Sequence, residues 1–148
     1  SEGSPEVKAR MRRLQMAASQ KASQRAQAVD DVKDASVIIT NPTHFAVALR
    51  YAPEERDAPY IIAMGKGPMA KKIIDEGQKH NKSVVRSPLL SRALFFTGDI
   101  GYDVSDQLFS AVASVLAYVL QIERGVEANL PDPELPDDLM YDEFGQKL

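Results

Sequence analysis

The chain has 148 residues, 44% hydrophobic and 26% charged, with two histidines, no cysteine and a formal net charge of −3. That length supports one ordinary core with tails, while the lack of cysteine excludes disulfides, thiolate zinc sites and a cysteine nucleophile. His44 and His80 lie far apart in sequence, which argues against a structural metal site, and no cofactor is expected.

Charge is unevenly placed along the chain. Residues 1–29 carry six Lys/Arg against two Glu, and residues 126–148 carry seven Asp/Glu against one Lys. The pattern divides the chain into a basic linker helix over 1–34, a folded α/β domain over 35–125 and an acidic, proline-rich tail over 126–148. The longest nearly apolar run, Ala111 to Leu120, is about half the ~20 residues a membrane span needs. No signal-peptide pattern is present, so the sequence by itself reads as a soluble cytoplasmic piece.

In chain order, Glu6 to about Ala28 is rich in Ala, Gln, Lys and Arg. Val7, Met11, Leu14 and Ala18 recur at helical spacing, which predicts a helix with a thin apolar stripe. Its basic residues can face anionic lipid headgroups at a membrane surface or simply water. Nucleic acid is not expected, because no aromatics interleave the basic residues and the rest of the chain is neutral to acidic. Asp30, Asp31 and Asp34 mark a break, after which the core begins at Ser36. Val37 to Thr40 and Phe45 to Tyr51 predict two strands, and the charged loop Ala52 to Pro59 lies outside the sheet. Tyr60 to Met64 is a third strand.

Gly65-Lys66-Gly67 then turns into a helix with Pro68 near its first position. The glycines lack the spacing of a phosphate loop. Met69, Ala70, Ile73 and Ile74 supply that helix's buried face, and Gly77 weakens its end. Ser83 to Arg86 is a short fourth strand, and Ser87 as cap with Pro88 opens a helix from Leu89 to Phe96 that Gly98 closes. His80, in a polar connection, is given no role. The last helix runs from about Ser105 to Arg124, with Ser105 as cap, Val104 stapled against Phe109, and Leu108, Val112, Val115, Val119 and Ile122 as its core stripe. Leu130 to Glu143 reads as extended or disordered; Leu139, Met140, Tyr141 and Phe144 can anchor a partner, but a solvated tail is the simpler reading. The fold class is α/β: a small mixed sheet of about four strands flanked by helices, with the basic linker helix before it and the disordered acidic tail after it.

The stretch that carries chemistry is Asn41-Pro42-Thr43-His44, between the first two strands. An asparagine ordinarily deamidates when the next backbone nitrogen attacks its side-chain carbonyl, and proline has no N–H with which to do so. The reverse attack remains open. The carboxamide nitrogen of Asn41 closes on its own backbone carbonyl, a succinimide forms, Pro42 leaves as an amine and the chain is cut. The groups are poor for this reaction, so geometry must assist. A near-attack pose removes about 7–11 kcal/mol of a barrier, His44 can relay a proton to the Pro42 nitrogen, and Thr43 can hydrogen-bond the carbonyl oxygen as charge develops on it. On residue types alone, Asn-Pro is also ordinary turn chemistry.

Asn41-Pro42-Thr43-His44, flanked by Val37-Ile38-Ile39-Thr40 and Phe45-Ala46-Val47-Ala48-Leu49, resembles the self-cleaving site of the FlhB/YscU family, the switch proteins of flagellar and injectisome type III secretion. Glu2-Gly3-Ser4-Pro5 with Lys8, Arg10, Arg12 and Arg13 resembles the family's segment after its last membrane span. Ser87-Pro88-Leu89-Leu90-Ser91-Arg92-Ala93-Leu94 resembles its downstream proline-leucine-arginine-alanine-leucine stretch. The resemblance covers about residues 2–124. It implies a cytoplasmic domain at the inner face of the bacterial inner membrane, belonging to a longer membrane protein whose spans precede Ser1. It further implies a single cut between Asn41 and Pro42 that permits the export apparatus to change substrate class. The implied partners are other export-gate components, the hook-length control protein, and export substrates and their chaperones. Phe45-Ala46-Val47-Ala48-Leu49-Arg50-Tyr51 looks closer to flagellar members than to injectisome ones. A docking module with an inert Asn-Pro turn and a multiple-turnover peptidase are the alternatives; the second lacks any recognisable catalytic constellation.

Overall fold

The computed structural model describes residues 3–148. Four strands form one mixed sheet: β1 (Val37–Asn41), β2 (Phe45–Arg50), β3 (Tyr60–Lys66) and β4 (Val84–Arg86), in the spatial order β3-β2-β1-β4. β1 runs antiparallel to β2, from Val37 opposite Leu49 to Asn41 opposite Phe45, and parallel to β4, with Ile38 opposite Val84. β2 pairs antiparallel with β3. Both β1 and β2 are therefore interior strands. Their β-branched and small apolar residues are buried on both faces, as interior strands covered by helices require.

Successive side chains on a strand point to opposite faces, and here the two faces feed two cores. Val37, Ile39, Phe45, Val47 and Leu49 join a core built with α3 (Pro88–Thr97) and α4 (Phe109–Glu123). Ile38, Ala46 and Ala48 join a second with Ala70 and Ile73 of α2 (Pro68–Lys79) and with Ala28 and Val32. Gly77, expected only to weaken α2, has a packing reason: a Cβ there would run into Cδ1 of Ile38. The sheet with flanking helices is the architecture the sequence predicts.

Several local expectations are corrected. The first helix, α1 (Pro5–Ala28), is capped by Ser4, whose Oγ accepts from the Val7 N–H at 3.1 Å. Its thin stripe faces outward, in keeping with a helix turned to water or to a lipid surface: Val7, Met11 and Leu14 are exposed. Only the C-terminal part of α1 engages the body, through buried Ala28, Arg25 placed 5.2 Å from the Phe95 ring centroid and Lys21 at 3.8 Å from Asp99. The acidic break is a 3-10 turn, Val29–Asp34, held by the fully buried Val32. Ser87 does not cap α3 with its side chain; its backbone N–H instead donates to Thr40 O at 2.9 Å. Before α4 a 3-10 turn, Asp106–Leu108, winds at three residues per turn and shifts the phase of the stripe. Val104 is buried while Phe109 and Ile122 are exposed, so the expected staple is absent and Ala111 takes an interior place.

The tail also departs from the expectation of disorder. Leu135 and Leu139 are buried in the core that contains α3, and Met140 and Tyr141 pack against it. The Tyr141 ring lies 5.5 Å from that of Phe96, and Arg92 Nε donates to Tyr141 O at 2.6 Å. The carboxylate of Asp142 accepts from the N–H groups of Phe144 and Gln146, which fixes a tight turn at Gly145. Composition argued for disorder because acids and prolines dominate the segment, but four apolar side chains at its end meet the aromatic end of α3. Phe144, the remaining anchor candidate, is exposed.

Candidate cleavage site

The β1–β2 connection is three residues long, because Asn41 and Phe45 are the last facing pair of the ladder. Asn41 is the terminal residue of an interior strand and is 8% exposed, whereas Pro42, Thr43 and His44 are exposed. The Asn41–Pro42 bond thus joins a residue held by the sheet to one in solvent. The Pro42–Thr43 peptide is cis.

Four hydrogen-bonded or buried groups define this corner. The His44 N–H donates to Asn41 O at 2.7 Å, closing the turn on the carbonyl of the Asn41–Pro42 peptide. His44 O accepts from the Gly67 N–H at 2.9 Å, and Thr40 O accepts from the Ser87 N–H at 2.9 Å. Asn41 Nδ2 is buried and has no hydrogen-bond partner among the described residues. A buried amide donor left unpaired costs free energy, about 1–3 kcal/mol. Arg25 Nε and Ser91 Oγ share this condition among the described residues, and each such orphan calls for an explanation.

Gly67 has a specific conformational role here. Its φ is +57° with ψ −129°, a region residues with a Cβ rarely adopt, and it precedes Pro68 at the start of α2. That backbone turns the Gly67 N–H toward His44 O, so the β3–α2 junction holds the far side of the cleavage turn.

The structure places all four expected site residues together, Asn41 at the end of β1 and the other three in the turn that follows. The carbonyl of Asn41 receives its hydrogen bond from the main chain of His44, not from the hydroxyl of Thr43. The half-exposed imidazole of His44 lies 3.7 Å from Glu143 of the tail through Nε2. Sequence reasoning missed the main-chain donor, the Gly67 contact and the tail. The signal for Gly67 was present in a glycine immediately before a helix-starting proline; the other two carry no residue-type signature. Among the described residues, no group of three or more His, Asp or Glu side chains could hold a metal ion.

The chain matches the model of the FlhB HrpN YscU SpaS family over residues 1–119. It is 40% identical over 139 residues to the flagellar biosynthetic protein FlhB of Salmonella typhimurium, a match that covers 94% of this chain and 35% of that protein. It is 39% identical over 127 residues to FlhB of Aquifex aeolicus, covering 86% of this chain and 35% of that one. The crystal structure of the cytoplasmic domain of FlhB from Shewanella putrefaciens superposes with a TM-score of 0.73 at 35% identity, over 79% of this chain and 95% of that domain. The chain thus spans about a third of the length of the curated relatives it matches. No helix among the described residues is long and apolar enough to cross a membrane. With the family pattern extending over most of the sequence and the fold shared with a solved member, this chain belongs to the FlhB HrpN YscU SpaS family.

Proposed function

We propose that this chain is the cytoplasmic switch domain of a flagellar type III export apparatus protein, and that it cuts its own backbone once, between Asn41 and Pro42. The observation that carries the reading is the buried, unpartnered Asn41 Nδ2 on the same residue whose carbonyl oxygen is hydrogen-bonded by the His44 N–H at 2.7 Å. Nδ2 attacks the carbonyl carbon, and negative charge develops on the oxygen where the main-chain donor already sits. The C–N bond to Pro42 then breaks, and the proton lost by Nδ2 ends on the departing Pro42 nitrogen. His44 can relay that proton, with Glu143 close enough to orient the ring. Thr43, exposed in the turn, has a lesser role.

The names of the flagellar relatives support the flagellar setting, and the cut would permit the apparatus to change the class of protein it exports. Export-gate components, the hook-length control protein, and export substrates with their chaperones are the partners this reading implies. The exposed Val7, Met11 and Leu14 with the basic residues of α1 suit the surface of the inner membrane from which the domain would hang.

Intact mass of the purified chain tests the reading. Two fragments meeting at Asn41 and Pro42 are expected from the parent and one whole chain from Asn41→Ala. An Asn41→Ala chain that still splits there refutes the mechanism. His44→Ala should slow the cut without abolishing it, and Thr43→Ala should have a smaller effect. A parent chain that stays whole would favour a docking module, and cutting of added peptides would favour a peptidase.

A further inference from the structure

Ser91 is fully buried in α3, and its Oγ has no hydrogen-bond partner among the described residues. It shares that condition with Asn41 Nδ2, and the two residues lie on elements that pack against each other. Along β1, Val37 and Ile39 face the core that contains α3, so Asn41, two residues further, faces it as well. Ser87, immediately before α3, and Ser91 and Phe95 within it are spaced i, i+4, i+8 and lie along one side of the helix. Ser87 at one end of that row donates its N–H to Thr40 O at 2.9 Å, and Phe95 at the other end has its ring centroid 5.0 Å from that of Phe45. Thr40 precedes Asn41, and Phe45 is its cross-strand partner. Ser91 therefore sits between the two points where α3 touches the residues flanking Asn41.

A buried hydroxyl and a buried carboxamide, each unpaired and set on facing surfaces, complement each other. Nδ2 can only donate, whereas Oγ can accept. We infer that Ser91 positions the Asn41 carboxamide for attack, its Oγ accepting one Nδ2–H as the side chain swings toward the backbone carbonyl. This inference rests on the proposed cleavage. Accepting that hydrogen bond fixes the rotation of the carboxamide and increases electron density on Nδ2 as the nitrogen–carbon bond forms. Ser91 keeps its own proton throughout. The proton released by Nδ2 goes to the Pro42 nitrogen, and the succinimide and the amine are the only products.

The test follows cleavage of the full 148-residue chain made by cell-free synthesis, with a pulse of labelled amino acid and gel separation of the fragments over time. Ser91→Ala is expected to slow the first-order cut about tenfold, the factor carried by one hydrogen bond gained only in the transition state. Ser91→Cys, a weaker acceptor of similar shape, should fall between Ser91→Ala and the parent. A second readout separates positioning from structure. In the uncut Asn41→Ala background, adding Ser91→Ala should leave the urea midpoint unchanged or raise it, because the hydroxyl it removes is buried and unpaired. Parental cleavage rate in Ser91→Ala overturns the inference, as does a slowed rate accompanied by a lowered urea midpoint. If the parent itself is never cut at Asn41–Pro42, the cleavage reading fails and this inference with it; if the parent is cut and Ser91→Ala keeps pace, only this inference fails.

Discussion

If the proposed cut at Asn41–Pro42 is made, residues 1–41 are tied to the rest only by packing and hydrogen bonds, and Ile39→Ala measures how firmly. Val32, Val37, Ile38 and Ile39 are each fully buried. At about 1.5–3 kcal/mol per aliphatic side chain, the four contribute roughly 6–12 kcal/mol, an upper estimate because the free fragment already hides some of this surface. Association costs on the order of 4–15 kcal/mol, so the side chains alone come close to balance. The surplus must come from the ladder on both edges of β1, reinforced by Arg50 Nη1 donating to Asp34 O at 2.9 Å across the two fragments. In so balanced a complex, one core deletion has a large effect.

Ile39→Ala removes about 2–5 kcal/mol, which weakens fragment association by roughly thirtyfold to several thousandfold. The assay is urea unfolding at two protein concentrations tenfold apart. The cut parent should show a midpoint that rises with concentration, because its unfolding is also a dissociation, while the uncut Asn41→Ala chain should not. Adding Ile39→Ala should lower both midpoints and leave the concentration dependence only in the cut protein. Fragments that separate in native buffer, or a cut protein whose midpoint ignores Ile39→Ala, would refute the claim that β1 anchors the N-terminal fragment.

Gly67→Ala puts a Cβ where φ is +57°, a strain of about 1–3 kcal/mol; relaxing it turns the N–H from His44 O, so cleavage followed by mass should slow while the fold, checked by circular dichroism, persists. Arg50 Nε and Nη2 hold the Glu55 carboxylate at 3.2 and 2.9 Å, and this hydrogen bonding keeps the Glu55 carboxyl below its usual range. Its contribution is present above the unfolded value and lost as pH falls through the folded one, so Glu55→Gln should flatten the acid side of the stability–pH curve. Leu139→Ala should lower stability by about 2–5 kcal/mol if the tail packs as described; a urea midpoint within error of the parent would mean the tail is solvated.

What the sequence revealed and what it hid divide along a physical line. Strands β1 to β3 were legible because β-branched runs ended at turn residues, and α3 because Pro88 follows a polar residue. Asn41 to His44 stood out because Asn-Pro closes one reaction and leaves another open, which is a property of the bonded atoms and needs no tertiary context. The 3-10 turn around Val32 and the docked tail were not legible in the same way. Whether Met11 or Leu139 is covered depends on what lies opposite it in space, and periodicity reports only that a residue is apolar. The hydrogen bond on the Asn41 carbonyl was hidden for a related reason. A main-chain N–H leaves no trace in residue type, so the sequence points to the hydroxyl of Thr43 and not to the His44 N–H that holds this carbonyl.

The position of the proposed cut explains how one broken bond could act as a switch without unfolding the domain. Val37 to Thr40 stay paired with β2 in the ladder, and His44 stays tied to Gly67, so the change is confined to Asn41, Pro42 and Thr43. Charge changes more than geometry. The cut creates an amine at exposed Pro42 and, after the succinimide hydrolyses, a carboxylate at Asn41. In a site 8% exposed a carboxylate is only partly met by the His44 N–H, and an incompletely paired buried charge is costly, so Asn41 at the end of β1 is driven toward water. The His44 N–H, freed as that carbonyl moves, becomes an unpaired donor at the surface beside a new positive charge. The face around the turn then offers a partner a donor and an amine where it had offered a closed hairpin, while Ile39 and Ile38, two and three residues away, remain in their cores.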